Sequence, residues 1–252
     1  MEKTNTYDYP TRIFHWLFAF LFVLAFAIAK IFDDESAFFS YHILAGLSLL
    51  FILGLRIIWG FTGTKYARFH SFRLNPSELF SYFKNMLVAK TKRYLSHNPA
   101  SSYAAIFMFA LTIGLGITGI NMASGNKSEF FKEAHEIMAN LFLFTVAAHI
   151  IGILYHHVNH KDSLWSSMIT GKKDPISGET GISSNRLIPG VIFLLSSFLW
   201  MGYIYSNYDQ NTQTLSLFGN ELQLGESEGL ENEYNSSSEY EDEDEDEYDD
   251  DD

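Results

Sequence analysis

Long apolar runs, rather than alternating apolar and polar positions, dominate the chain before its acidic C-terminal segment. A helix needs about 20 mostly apolar residues to cross a hydrocarbon core of roughly 30 Å. Five stretches meet this requirement, and they lack the broad polar face that a soluble helix carries. They lie at 13–32, 39–61, 103–122, 135–157 and 188–205. The pattern predicts an all-α integral membrane protein with five transmembrane helices.

The long loop at 62–102 contains a shorter helical pattern of a different kind. Asn75 and Pro76 form a start signal, and Ser77 can help to cap the first turn. The Phe, Leu and Met residues that follow are interleaved with Lys, as in a helix that lies on a membrane surface. The sequence therefore predicts an interfacial helix near 76–89.

The formal net charge of −13 describes the end of the chain, not its body. Residues 206–252 contain 18 of the 30 Asp and Glu residues and no Lys or Arg, which leaves 12 acids against 17 bases in the body, a net of +5. A block of like charge is expected to be disordered. The chain is thus expected to comprise a four-helix core with its loops (1–187), a fifth transmembrane helix (188–205) and a disordered acidic tail (206–252).

The distribution of basic residues predicts the orientation of the bundle. The N-terminus and the loops at 62–102 and 158–187, together with Arg56, contain 14 of the 17 bases. Basic loops stay in the cytoplasm, so the N-terminus is expected there and the acidic tail in the periplasm of a bacterial inner membrane. This split between a basic body in lipid and an acidic tail argues against nucleic-acid binding.

The chemistry open to the chain is limited by its lack of cysteine, which excludes disulfides, iron–sulfur clusters and thiol catalysis. Histidine remains as the candidate ligand. Apart from His156 and His157 at the very end of the fourth span, four of the nine histidines fall within predicted transmembrane helices, where a polar ionisable side chain is costly and is by default a functional candidate. They are His15, His42, His135 and His149.

The spacing of these four histidines predicts two sites. His135 and His149 are separated by nearly four helical turns, so they share one helix face and lie about 21 Å apart along it. His149 is level with His15, and His135 is level with His42. Two imidazoles per site suit non-covalent b-type haem. A single histidine would more often be a satisfied core residue, and zinc is a weaker rival because catalytic zinc usually has three protein ligands.

Arg56 follows His42 at the same spacing as His149 follows His135, and therefore lies on the same face at the other end of the helix. It could pair with a propionate of the haem between His15 and His149. A snorkelling basic residue at the membrane surface explains Arg56 equally well.

The remaining histidines are expected to have less specific roles. His156, His157 and His160 fall where the fourth helix leaves the membrane. The i, i+4 spacing of His156 and His160 could bind a metal, but interfacial histidines are the preferred interpretation. His70 and His97 lie in a loop and are expected to be solvated.

Several sequence motifs follow one another between residues 7 and 173. They are YDYPTRIFHW (7–16), LRIIWGFTGTKYARF (55–69), HNPA (97–100), ITG (117–119), FKEAHEIMANLFLFTVAAHIIGILYHH (131–157) and MITGKK (168–173). Together they resemble the prokaryotic cytochrome b561 family, which includes the b-type cytochrome subunits of nickel–iron hydrogenases. The fifth helix and the acidic tail depart from the short four-helix members.

This resemblance implies a membrane four-helix core that holds two b haems and passes electrons between the quinone pool and a periplasmic redox partner. His15 in TRIFHW and His149 in AAHIIG match one ligand pair, and His42 and His135 match the other. The pairing by depth gives the same result.

The expected function is therefore that of a dihaem electron-transfer protein with quinone as its substrate and, as its partner, a periplasmic c-type cytochrome or an enzyme subunit bound at the outer face. A membrane-anchor cytochrome for a specific enzyme, such as a hydrogenase, is the first alternative. A haem-free transporter component with histidine proton relays is an alternative of another class. The sequence leaves the oligomeric state open, with a homodimer as one option.

Overall fold

Five long apolar helices form the body of the protein in the computed structural model, which describes residues 3–126, 128–160 and 164–225. Each is long and apolar enough to cross a membrane. Shorter helices lie between them, so that the described residues contain seven α-helices. These are α1 (Tyr9–Ile31), α2 (Ser40–Thr62), α3 (Pro76–Leu87), α4 (Pro99–Ala123), α5 (Glu129–His160), α6 (Leu164–Thr170) and α7 (Leu187–Ser206).

The predicted fold class is confirmed: the chain is a multi-pass membrane protein built as a helical bundle. The five predicted spans correspond to α1, α2, α4, α5 and α7, and the structure extends most of them by several residues. The predicted surface helix is α3, which Asn75 caps by accepting a hydrogen bond from the Ser77 amide. Its apolar side chains are largely exposed, with Leu87 at 89%, as a helix lying on a membrane surface requires.

Close backbone packing joins the helices in two antiparallel pairs, α1 with α2 and α4 with α5. The fifth span, α7, packs against both α1 and α2. Gly190 permits this approach, because a Cβ atom at this position would lie 2.6 Å from Cβ of Tyr9. Small residues allow membrane helices to pack closely, and here one glycine brings α7 against the start of α1.

Asp8 fixes the start of α1 to the end of α2. This fully buried carboxylate accepts a hydrogen bond from the Thr11 amide at 3.0 Å and thereby caps α1. Its second oxygen accepts hydrogen bonds from Nε1 of Trp59 at 3.1 Å and from Oγ1 of Thr64 at 2.7 Å. A buried charge is tolerated when hydrogen bonds replace its hydration, and these three bonds hold both helices in register.

Two small antiparallel sheets lie at opposite ends of the bundle. At the end that carries the N-terminus, β1 (Thr4–Asn5) pairs with β2 (Lys172–Lys173). At the other end, a meander follows α7 directly and contains β3 (Tyr208–Asp209), β4 (Thr214–Leu217) and β5 (Asn220–Gln223).

The meander corrects the predicted boundary of the acidic tail, because residues 208–223 form a sheet and are not disordered. Leu215 and Leu224 are fully buried in one apolar cluster with Leu44 of α2 and Ile204 of α7. Oγ of Ser40 also donates a hydrogen bond to the Leu224 carbonyl at 3.2 Å. The acidic residues that suggested disorder are concentrated at 226–252, outside the described residues.

This packing predicts that two truncations will behave differently. A chain that ends at Gly225 should keep its thermal unfolding midpoint in detergent, whereas a chain that ends at Ser206 should unfold at a lower temperature. The single substitution Leu215→Ala should cost about 2–5 kcal/mol, because it leaves a cavity in the same cluster. Equal midpoints for the two truncated chains would show that the sheet does not stabilise the bundle.

Candidate functional site

Two of the four predicted histidines face each other across the bundle. His42 lies in the first turn of α2 and His135 in the second turn of α5, and the centroids of their rings are 6.1 Å apart. A metal–imidazole bond is about 2.0–2.1 Å long, so two imidazoles on opposite sides of one metal ion place their centroids about 6 Å apart. The observed separation fits this arrangement.

The hydrogen bonds of His42 and His135 leave the other ring nitrogen of each free to act as a ligand. Nδ1 of His42 lies 2.9 Å from the Ala25 carbonyl, which can only accept, so Nδ1 carries the hydrogen. Nδ1 of His135 lies 2.9 Å from Oγ1 of Thr118. Metal-bound histidines characteristically donate the hydrogen of the second nitrogen to an oxygen in this way.

An apolar cleft of about 110 Å³ surrounds this pair. Its walls come from α1, α2, α4 and α5, and they include the rings of Phe22 and Phe142, which stack with centroids 4.4 Å apart. Gly46 also lines the cleft, and no atom lies within 4 Å of the place where its Cβ would be. The cleft therefore offers a water-poor space beside two imidazoles, which is what a flat, apolar, metal-containing cofactor needs.

The second predicted pair, His15 and His149, lies nearer the end of the bundle that carries the N-terminus. The two side chains interact electrostatically. Nδ1 of His15 is buried and has no hydrogen-bond partner among the residues that the structure describes. Gly152, nearly one turn after His149, has open space at its Cβ position, as Gly46 does.

Arg56 is buried inside the bundle, with 3% of its surface exposed. The rings of Phe14, Phe69 and Phe109 surround its guanidinium at 5.4–5.9 Å, and its Nη2 donates to the Ala67 carbonyl at 3.0 Å. This position disfavours the snorkelling alternative, because a snorkelling side chain places its head group in water.

The guanidinium of Arg56 has one hydrogen-bonding group left over. Nη1 is buried and has no partner among the described residues. Asp8 interacts with it electrostatically but already accepts three hydrogen bonds from other groups. A buried guanidinium nitrogen that lacks an acceptor can donate a strong, charge-assisted hydrogen bond to the carboxylate of a bound molecule.

His97 is not solvated, which corrects the expectation for this loop residue. Its ring packs against Phe72 and Tyr7, with centroids at 4.6 and 6.2 Å, and its Nε2 is buried without a partner in the described part of the chain. Burial, with the nearby positive charges of Lys173 and Arg56, lowers the pKa of His97 to about 3. The only sequence signal was its place directly before the Asn98 cap of α4.

The histidine cluster at the end of α5 has the features of structural residues. His156 is buried, and its ring lies 4.3 Å from that of His160, whose Nε2 is 2.9 Å from Oγ1 of Thr91. Within the described ranges there is no group of three or more His, Asp or Glu residues that could hold a metal ion. Asn159 also donates to the Thr91 hydroxyl, so this cluster joins α5 to the loop that follows α3.

A bundle of apolar helices with imidazoles facing each other in its interior is an arrangement found in membrane proteins that hold a cofactor between their helices. A family model described as prokaryotic cytochrome b561 matches residues 6–171, more than half of the chain. The chain therefore belongs to the prokaryotic cytochrome b561 family, whose members are membrane b-type cytochromes of electron transport. No solved structure matches the chain.

A curated relative gives a closer comparison. The chain is 27% identical over 214 residues to a probable Ni/Fe-hydrogenase B-type cytochrome subunit of Rhizobium leguminosarum bv. viciae. The similar region covers 68% of this chain and 89% of the relative. Membership in a cytochrome b family implies haem b as the cofactor, and the imidazoles and apolar walls of the His42–His135 cleft fit this group chemically.

The low pKa of His97 predicts how the stability of the fold depends on pH. In the unfolded chain this imidazole takes up a proton near pH 6.5, whereas in the folded chain it stays neutral until about pH 3. The free energy of unfolding should therefore fall as the pH decreases from 6.5, by up to about 1.4 kcal/mol per pH unit.

The measurement is the thermal midpoint between pH 7 and pH 4.5 for the wild type, His97→Gln and His70→Gln. His70 is an exposed histidine in the same loop and serves as the matched control. The His97 variant should lose less stability on acidification than the other two proteins. Parallel curves for all three would contradict the assignment.

Proposed function

We propose that this protein is a dihaem b-type cytochrome that transfers electrons between the quinone pool and a redox partner on the other side of the membrane. The observation that carries the proposal is the pair His42 and His135, which face each other with hydrogen-bonded Nδ1 atoms across an apolar cleft.

In this proposal two histidines would hold each haem. His42 and His135 would hold one haem, and His15 and His149 would hold the other. The spacing between His135 and His149 places the two sites about 21 Å apart along α5. An electron would then cross the hydrocarbon core, roughly 30 Å thick, in steps rather than in one transfer.

One-electron chemistry is supplied by the haem when it is bound, and the chain's own residues set its surroundings. Ala25 and Thr118 fix which nitrogen of His42 and His135 is available as a ligand. Phe22 and Phe142 exclude water from the cleft. Arg56 would offer its buried Nη1 to a propionate of the haem between His15 and His149, which would satisfy the nitrogen that lacks a partner among the described residues.

Quinone is the proposed membrane substrate. It would exchange electrons at a lipid-facing edge of a haem, and a quinol would release two electrons and two protons for each molecule oxidised. The apolar side chains that cover the outer faces of α4 and α5, such as Ile117 and Phe144, are compatible with a lipid-soluble substrate. The donor or acceptor on the water side is a separate protein.

We propose that the bundle lies in a bacterial inner membrane with its N-terminus in the cytoplasm. The excess of basic residues in the loops at the N-terminal end supports this orientation. The β3–β5 sheet, the His42–His135 site and residues 226–252 then lie on the periplasmic side. A periplasmic c-type cytochrome with a basic surface would be attracted to the 16 acidic residues at 226–252.

Replacing one ligand from each pair should remove one haem at a time. The purified wild type should give a b-type α-band in the reduced-minus-oxidised spectrum and two haems per chain in a pyridine haemochrome assay. His149→Ala and His135→Ala should each retain about one haem, and His70→Ala, at an exposed position, should retain both. A folded wild-type protein without haem would overturn the proposal.

Removal of residues 226–252 should slow electron transfer to a basic c-type cytochrome at low ionic strength. The difference from the full chain should vanish at high salt, because the Debye length falls from about 10 Å at 0.1 M to about 3 Å at 1 M. Replacement of the Asp and Glu residues in 239–252 by Asn and Gln is the matched control for charge at constant length. Equal rates for all three chains at low salt would rule out a steering role.

A second candidate partner is a specific enzyme for which this chain is the membrane anchor. The observation that favours it is the similarity to a protein described as a hydrogenase B-type cytochrome subunit. Hydrogen gas added to native membranes should then reduce the b haem, and this reduction should disappear in His135→Ala and His149→Ala. Haem that is reduced by quinol but not by hydrogen would exclude a hydrogenase as the partner.

A further inference from the structure

Thr118 of α4 lies between His135 and the backbone of its own helix. Its side chain is buried, and its Oγ1 is 2.9 Å from Nδ1 of His135. The same oxygen is 3.0 Å from the Gly114 carbonyl and 3.1 Å from the Leu115 carbonyl. The Leu115 carbonyl is also within hydrogen-bonding reach of the His135 ring. One hydroxyl therefore connects the imidazole to the main chain one turn earlier.

The direction of these hydrogen bonds follows from the donors available. A hydroxyl has one hydrogen, and the two carbonyls can only accept, so we assign the Thr118 hydrogen to the backbone, as in its hydrogen bonds to Gly114 and Leu115. Its oxygen then accepts the hydrogen on Nδ1 of His135. This arrangement fixes the neutral tautomer of His135 and leaves the lone pair of Nε2 directed away from Thr118.

We propose that Thr118 is a positioning residue for His135, which orients the imidazole and increases the electron donation by its Nε2 to the haem iron. The proposal rests on the proposed function, in which His135 is an axial ligand. An acceptor on the second nitrogen of a metal-bound histidine makes the ligand more basic. A more basic ligand stabilises ferric iron relative to ferrous iron and lowers the midpoint potential.

The other histidine of the same site has a different partner. His42 donates to the main-chain carbonyl of Ala25, which no single side-chain substitution removes. At Thr118, by contrast, a substitution that removes one hydroxyl removes a hydrogen bond to a histidine of this pair. Thr118 also makes the two ligands of one iron inequivalent, since an accepting hydroxyl and an accepting carbonyl differ in strength.

The experiment is an optical redox titration of the purified, haem-loaded full chain in three variants. Thr118→Val keeps the shape of the side chain and removes the hydroxyl, and Thr118→Ser keeps the hydroxyl. Thr145→Val is the matched control, because Thr145 is also buried and also donates to the carbonyl four residues earlier, at Leu141, but forms no hydrogen bond with a histidine among the described residues.

The expected result is a rise in one of the two midpoint potentials in Thr118→Val, with the other unchanged. The rise should be partial, because the Leu115 carbonyl remains within reach of His135. Thr118→Ser should restore the wild-type value, and Thr145→Val should match the wild type. The low-spin ferric signal of the same haem should also change in electron paramagnetic resonance, which a purely structural role would leave unaltered.

Each other outcome has a defined meaning. Loss of one haem from folded Thr118→Val, with its return in Thr118→Ser, supports the proposal through ligand orientation. Unchanged potentials and spectra in Thr118→Val overturn it, as does an equal shift in Thr145→Val. A wild-type protein that contains no haem would instead overturn the proposed function, so the two failures are distinguishable.

Discussion

The spacing between His135 and His149 along α5 is the constraint on which the rest of the arrangement depends. Because this spacing is close to a whole number of helical turns, both imidazoles lie on one face of α5. In the proposed function, the helices that face α5 must then supply a histidine at each of two depths. α2 does so with His42 near its start, and α1 does so with His15 nearer the opposite end of the bundle.

The same constraint explains how the helices are spaced. The backbone of α5 packs closely on α4, whereas α5 meets α1 chiefly through large side chains such as Phe18, Phe22 and Phe142. This spacing leaves room for the cleft beside His42 and His135. Aromatic rings and the backbone of Gly46 form its walls, so the bundle stays packed around it. His42 and His135 form hydrogen bonds with α1 and α4, so each helix of the four-helix core contributes either one of the four histidines or a hydrogen-bond partner of one.

The sequence predicted the helices well because the requirement is simple. Each span must be about 20 apolar residues long, and polar residues such as Asn75 and Asn98 mark helix starts by capping them. The facing of His42 and His135 was also predictable, since helix periodicity and depth are both properties of the sequence. The ligand role of the four histidines and of Arg56 stays a prediction.

Other features depended on contacts that no local pattern contains. The β3–β5 sheet was missed because its strands are short and lie beside a strongly acidic segment. Averaged over 206–252, the composition is acidic, and the apolar positions Leu215 and Leu224 do not stand out. The burial of His97 depends on Tyr7 and Phe72, which are distant in sequence. The proposed role of Thr118 depends on its distance to His135, a side chain on the neighbouring helix.

The cap at Asp8 bears on the order in which the chain can assemble. Two of its three hydrogen-bond donors, Trp59 and Thr64, lie at the end of α2 and just after it, so they are synthesised much later than Asp8. A newly inserted α1 would therefore expose a charged, incompletely hydrogen-bonded end until α2 returns beside it. The segment through Thr64, which holds the α1–α2 hairpin, is therefore the first in which the Asp8 side chain can have all three hydrogen bonds, and the β1–β2 pairing of Thr4 and Asn5 needs Lys172 and Lys173, which follow α5 and α6.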